Sequence, residues 1–205
     1  MDLTGPAGLD EALTLVGELL AAEGHEYAVA ILGGAALNLL GIVERTTDDV
    51  DILAFATPRP GGAPEQGTLH EPPEPMPEPL ERAARTVARD LELDPAWLNT
   101  GPALQWRAGL PPGLARRVEW RRYAALWVGV VDRYDLIFFK LFAAADSSGT
   151  GSVHYQDLLA LRPSAEELEA AAAWVRTQDA SPEFANVLDR VVTHVRTDLE
   201  LAEPF

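Results

Sequence analysis

The 205-residue chain contains no cysteine, which excludes disulfides, thiolate metal sites and a cysteine nucleophile. Lysine is almost absent too: Lys140 is the single one, and the other fifteen of the sixteen basic side chains are arginines. No apolar run approaches the roughly 20 residues needed to cross a bilayer. The start, "MDLTGPAGLDEAL", lacks the basic and apolar regions of a secretory signal. A soluble cytoplasmic protein with no membrane partner is therefore expected. Positive charge is scarce overall, with 16 basic against 32 acidic residues and a net charge of −16. Such a balance opposes non-specific attraction to nucleic acid, whose affinity depends on neutralising phosphates.

Against that background one cluster stands out: Arg107, Arg116, Arg117, Arg121, Arg122 and Arg133 fall within residues 107–133. They form either a local basic face or a set of solvated arginines paired with the surplus carboxylates. Hydrophobic content of 47% with 23% charged residues is ordinary for a folded protein, so a real core is expected.

Helical spacing of Leu9, Leu13, Val16, Leu19 and Leu20 predicts a helix over 9–23, stopped by Gly24. "YAVAIL" reads as a buried strand running into "GGAALNLLG", a glycine pair and short helix ending at Gly41. "DDVDILAF" reads as a second strand. Residues 57–79 hold eight of the sixteen prolines and predict an extended loop. An amphipathic helix resumes at "PLERAARTVARDLEL". "ALQW" and "VEWRRY" are expected as short strands around "GLPPG", and "ALWVGVV" as a further strand leading into the lysine helix. A helix at "VHYQDLLAL" follows. Then come a Ser164–Glu167 capping box and a helix with Ser181 as N-cap and Pro182 at its first position. The expected fold is α/β (α+β): an α/β core over 1–145 with a small mixed sheet flanked by helices, and a C-terminal helical extension over 146–205 packed on it.

Two short stretches carry the chemistry. Along a strand Asp49 and Asp51 share a face, about 6–7 Å apart. Two such carboxylates repel each other unless solvated or bridged by a cation. Hard oxygen ligands of this kind suit Mg²⁺ (or Mn²⁺), which completes its shell with substrate phosphates. In "ILGGAAL", Gly33 and Gly34 lead a strand into a helix, where missing side chains let a phosphate approach the backbone N–H groups. A solvated strand end and a tight turn explain each half alone. Together they make a phosphate cradle next to a magnesium site, as phosphoryl or nucleotidyl transfer requires.

"GGAALNLLGIVERTTDDVDIL" resembles the signature of the nucleotidyltransferase superfamily, in the form found in bacterial AbiEii-type and MenT-type proteins of abortive-infection and toxin–antitoxin systems. Gly33, Gly34, Arg45, Thr47, Asp49 and Asp51 match that pattern residue by residue. The resemblance implies transfer of an NMP from an NTP to an acceptor hydroxyl, the 3′ end of a tRNA or a protein side chain. In that reading Asp49 and Asp51 bind metal, and Gly33, Gly34, Arg45 and Thr47 belong to the nucleotide site. It also implies a catalytic lysine on a later helix and a following Asp-Leu, here Lys140 and Asp157, and the chance of a cognate antitoxin.

The residues themselves bear on the lysine. On a helix Lys140 faces Leu136, Ile137, Ala143 and Ala144, so its stem is expected to be at least partly buried. A buried ammonium needs compensating anions, for which Asp49, Asp51 and a nucleotide phosphate are candidates. The other reading is a lysine reaching out to water from the helix edge. By the resemblance Asp157 would orient the lysine or activate the acceptor; read from the residues alone it is a first-turn carboxylate favoured by the helix dipole. His154 lies one turn earlier. The chain departs from the pattern it resembles in carrying Asp146 and His154 where many members have another basic group and acid. A third metal-associated acid, by the same resemblance, is Glu119 or Asp132. Asn99, in "WLN", is a buried capping group or a base-reading amide. A catalytically degenerate, nucleotidyltransferase-like scaffold that binds nucleotide or a protein partner is the alternative function.

Overall fold

The computed structural model describes residues 3–59, 62–147 and 149–201, with side chains from residue 7 onward. The chain separates into two compact units between Asp132 and Arg133.

The first unit is mixed α/β. In chain order it contains β1 (Leu3–Thr4), α1 (Gly5–Ala22), β2 (Tyr27–Leu32), α2 (Gly33–Leu39), β3 (Thr46–Thr47), β4 (Val50–Ala56) and β5 (Leu69–His70). Then follow α3 (Glu78–Asp90), β6 (Leu98–Asn99), α4 (Ala103–Ala108), the single turn α5 (Leu114–Arg117), β7 (Glu119–Tyr123) and β8 (Leu126–Val130). The sheet runs β5-β4-β2-β8-β7, with β6 added to the outer edge of β4 beside β5. β2 lies antiparallel to β4 and parallel to β8, and β7–β8 is an antiparallel pair. β2 is buried from Ala28 to Leu32, as a strand covered on both faces must be. On α1, Leu9, Leu13, Val16 and Leu20 are fully buried at the predicted spacing. Gly17 lets this helix approach the β7–β8 hairpin, because an added Cβ would overlap the Tyr123 carbonyl. Gly41 ends the turn after α2 with φ +68°, its N–H bonded to the Asn38 carbonyl.

The second unit is helical: α6 (Arg133–Asp146), α7 (Val153–Leu161), α8 (Ala165–Gln178) and α9 (Pro182–Asp198), with a 3₁₀ turn at Gly149–Gly151. α6 packs against the other three helices. Phe138 and Phe139 meet Trp174 edge-on at 5.9 and 5.7 Å between ring centroids, a favoured aromatic arrangement. The Ser164 capping box and the Ser181 N-cap with Pro182 at the first turn are both present.

Four local expectations change. "ALQW" is helix α4 rather than a strand, since Pro102 and Gly109 bracket good helix formers whose brief alternation imitates a strand. The proline-rich segment contributes edge strand β5, with Leu69 and His70 registered on Ala56 and Phe55. "WLN" supplies the unforeseen β6. The second strand starts at Val50, leaving Asp49 just outside it. The lysine helix belongs with the helices behind it, because its buried face is made by them, so the units divide ahead of α6 rather than after residue 145. Among the described residues no helix is long and apolar enough to cross a membrane.

Candidate functional site

The site is built where β2 hands over to α2. Leu32 is extended, registered on Asp51 of β4, and Gly33 then turns the chain with φ +78°, a conformation that side chains rarely tolerate. A Cβ on Gly33 would lie 2.7 Å from Asp51 Oδ2, and one on Gly34 would lie 2.7 Å from Thr47 Oγ1 and 3.5 Å from Arg45 Nη2. The glycine pair is thus required by the side chains packed against it: its backbone lies directly beside Asp51, Thr47 and Arg45.

Asn38 ties the helix to the following loop. Its Nδ2 donates to the Gly34 carbonyl at 3.1 Å and its Oδ1 accepts from the Arg45 N–H at 3.3 Å. Buried Thr47 donates its hydroxyl to the Asp49 carbonyl at 3.2 Å. Asp49 is exposed and Asp51 half-buried. On the far edge of β4, Asn99 is registered on Asp51 and donates its Nδ2 to Asp51 Oδ1 at 3.3 Å. The Asn99 Oδ1 accepts the Gly101 N–H at 2.8 Å. Asp51 therefore turns one oxygen to Gly33 and the other to Asn99. Asn99 is half-buried and caps no helix; it closes a local turn at Gly101 and bonds Asp51, while Asn38 had no sequence signal beyond a polar residue at a buried helical position.

Neither acid named as a third metal ligand is gathered with this pair among the described residues. Glu119 begins β7, three strand spacings from β4, or about 14 Å. Asp132 follows β8, two spacings away, with Arg117 Nε at 4.0 Å. Among the described residues, no group of three or more His, Asp or Glu side chains is arranged to hold a metal. Two carboxylates, Asp49 just ahead of β4 and Asp51 within it, are those that could hold a metal. A pair of this kind would be enough for one. It suits Mg²⁺, which takes one or two protein carboxylates and draws the rest of its shell from water and phosphate.

In the helical unit, Lys140 Nζ donates to Asp157 Oδ2 at 2.7 Å, and the two residues are 5% and 2% exposed. Lys140 does not reach out to water. Asp157 is the fifth residue of α7, past the first turn, whose free N–H groups are served by Ser152 through the Tyr155 N–H. It is the lysine's counter-ion rather than a helix-dipole carboxylate. His154 is half-buried one turn earlier.

The arginines of 107–133 are largely engaged within the protein. Arg107 binds Glu71 at 2.6 Å, Arg117 the Pro112 carbonyl and Arg121 the Leu39 carbonyl. Arg122 donates to the Ala124 carbonyl and lies over the Trp127 ring. Arg133 holds Glu167 through two 2.8 Å bonds. Arg107, Arg117 and Arg133 meet carboxylates, whereas Arg121 and Arg122 are held by backbone carbonyls.

The chain was compared with protein-family models, curated proteins and solved structures. It matches none of them.

Proposed function

We propose that the α/β unit is a Mg²⁺-dependent nucleotidyltransferase that moves an NMP from an NTP to an acceptor hydroxyl. One observation carries the reading. The backbone of Gly33–Gly34 lies against Asp51, so the side-chain-free turn and the carboxylate share one small space. A carboxylate pair beside a glycine turn is what phosphate and metal need together, and it explains why neither glycine can be replaced without displacing its neighbour.

Asp49 and Asp51 would hold the metal, which supplies Lewis-acid polarisation of the phosphate and neutralises its charge. Asn99 fixes the orientation of the Asp51 carboxylate. Thr47 and Asn38 fix the loop that carries Arg45 and Asp49. Gly33 and Gly34 let the Asp51 and Thr47 side chains lie close against the backbone of the turn. Lys140 and Asp157 satisfy each other inside the helical unit, and in this reading Asp157 orients the lysine.

A second reading, a degenerate scaffold that binds nucleotide or a protein partner, draws support from the two-carboxylate donor set and from the engaged arginines. Incubation with Mg²⁺ and each α-labelled NTP separates the two. Asp51→Asn is expected to lower transfer by about 10³-fold, since it removes a charge at the reacting phosphate, while circular dichroism stays unchanged. Nucleotide binding without transfer to any acceptor would favour the scaffold.

A further inference from the structure

A groove of about 380 Å³ opens between the proline segment Pro72–Glu74 and the β6–α4 stretch, lined by Thr100, Gly101, Ala103, Leu104 and Arg107. Two hydrogen bonds separate it from the candidate site: Gly101 N–H to Asn99, and Asn99 to Asp51. Leu104 is 70% exposed, and only it and Val153 are large hydrophobic residues in that state among the described residues. An apolar wall with a few convergent polar groups is the ordinary make-up of a binding cleft.

We infer that this groove takes the acceptor, and that the acceptor is a protein segment presenting a Ser, Thr or Tyr hydroxyl between apolar and basic residues. The inference rests on the transfer reading above. Attack on phosphorus is in line, with the entering and leaving oxygens on opposite sides. A pyrophosphate leaving toward Gly33–Gly34 lies on the β2 side of Asp51, so the nucleophile enters from the β6 side, where the groove opens. The hydroxyl oxygen bonds to the α-phosphorus, the bond from that phosphorus to the β-bridging oxygen breaks, pyrophosphate departs and the hydroxyl proton passes to solvent.

Charge selects protein over RNA. Among the described residues the one cation lining the groove, Arg107, is already bound to Glu71 at 2.6 Å, with Glu74 at 3.9 Å. This rim repels phosphates and attracts a basic side chain, and prolines and Leu104 offer contact to apolar ones.

The test uses the full chain with fluorescein-labelled twelve-residue peptides carrying one Ser among Leu, Val and Arg, the same peptides with Glu for Arg, and total tRNA. Anisotropy in EDTA reads peptide binding alone. Transfer is then read with Mg²⁺ and α-labelled NTPs. The Arg-containing peptides are expected to bind and to be labelled. Leu104→Ser, which removes the apolar contact without adding charge, should weaken both by about tenfold and leave Mg²⁺-dependent NTP binding unchanged. Labelled tRNA with unlabelled peptide overturns the inference and leaves the transfer reading standing. Peptide labelling indifferent to Leu104→Ser overturns the groove assignment. No label on any acceptor, with NTP bound, overturns both.

Discussion

Asp51 and Asp157 are the same side chain in opposite surroundings. Asp51 opens β4 half-buried, one oxygen taking a hydrogen bond from the neutral amide of Asn99 and the other lying over Gly33. Asp157 is buried on α7 and accepts from the ammonium of Lys140 at 2.7 Å. A half-buried carboxylate keeps contact with solvent. One buried against an ammonium has its charge cancelled, and separating the two leaves a buried ion uncompensated. The two acids therefore differ in burial and in the donor each accepts from, a neutral amide at Asp51 and an ammonium at Asp157.

The comparison breaks most sharply at Lys140. Lys140→Met is expected to lower the unfolding free energy by about 3–5 kcal/mol, because Asp157 stays behind without its counter-ion. Lys140→Met with Asp157→Leu should recover most of that loss in urea titrations. A double variant as unstable as the single one would mean that the pair does not hold the unit together.

At the other carboxylate, Gly33→Ala should cost about 1–3 kcal/mol through its strained backbone and the crowding of Asp51. Gly24→Ala is the control, since it has a similar φ of +74° and nothing within 4 Å of its added Cβ. Both variants share the backbone strain, so the excess loss at Gly33, together with weaker Mg²⁺-dependent NTP binding, measures the contact with Asp51. Equal losses and equal NTP binding would remove the close approach from the account.

The smallest effect sharpens the helical side. Hydrogen bonds from Arg133 are the main reason that the Glu167 carboxyl is held below its ordinary value of 4.5, and the Ser164 N–H adds to them. A depressed acid contributes stability above the unfolded value, and that contribution is lost as pH falls through the folded one. Glu167→Gln should therefore cost about 1 kcal/mol at pH 7. The gap from the unmodified chain should close below about pH 4.5, as read by thermal melts across pH.

Much of this was legible from one strand of text. The motif around Gly33 and Asp51 is local, within about twenty residues, and its spacing already sets a turn beside a carboxylate. The caps at Ser164 and Ser181 are local as well, and hydrophobic periodicity marked α1, β2, α6 and α7. These features depend on neighbours in the chain, which is why composition and spacing report them.

Other features were decided by tertiary structure. The order β5-β4-β2-β8-β7 carries Glu119 and Asp132 away from Asp51, although spacing left both open. Asn99 meets Asp51 only because β6 pairs with β4 across forty-eight positions of sequence. Lys140 finds Asp157 rather than water because α7 folds back along α6. The sequence by itself determined which side chains could hold a phosphate, a metal or a counter-ion. Their choice of partners required strand pairing and helix packing, since the burial that makes a charge seek a partner comes from residues far along the chain.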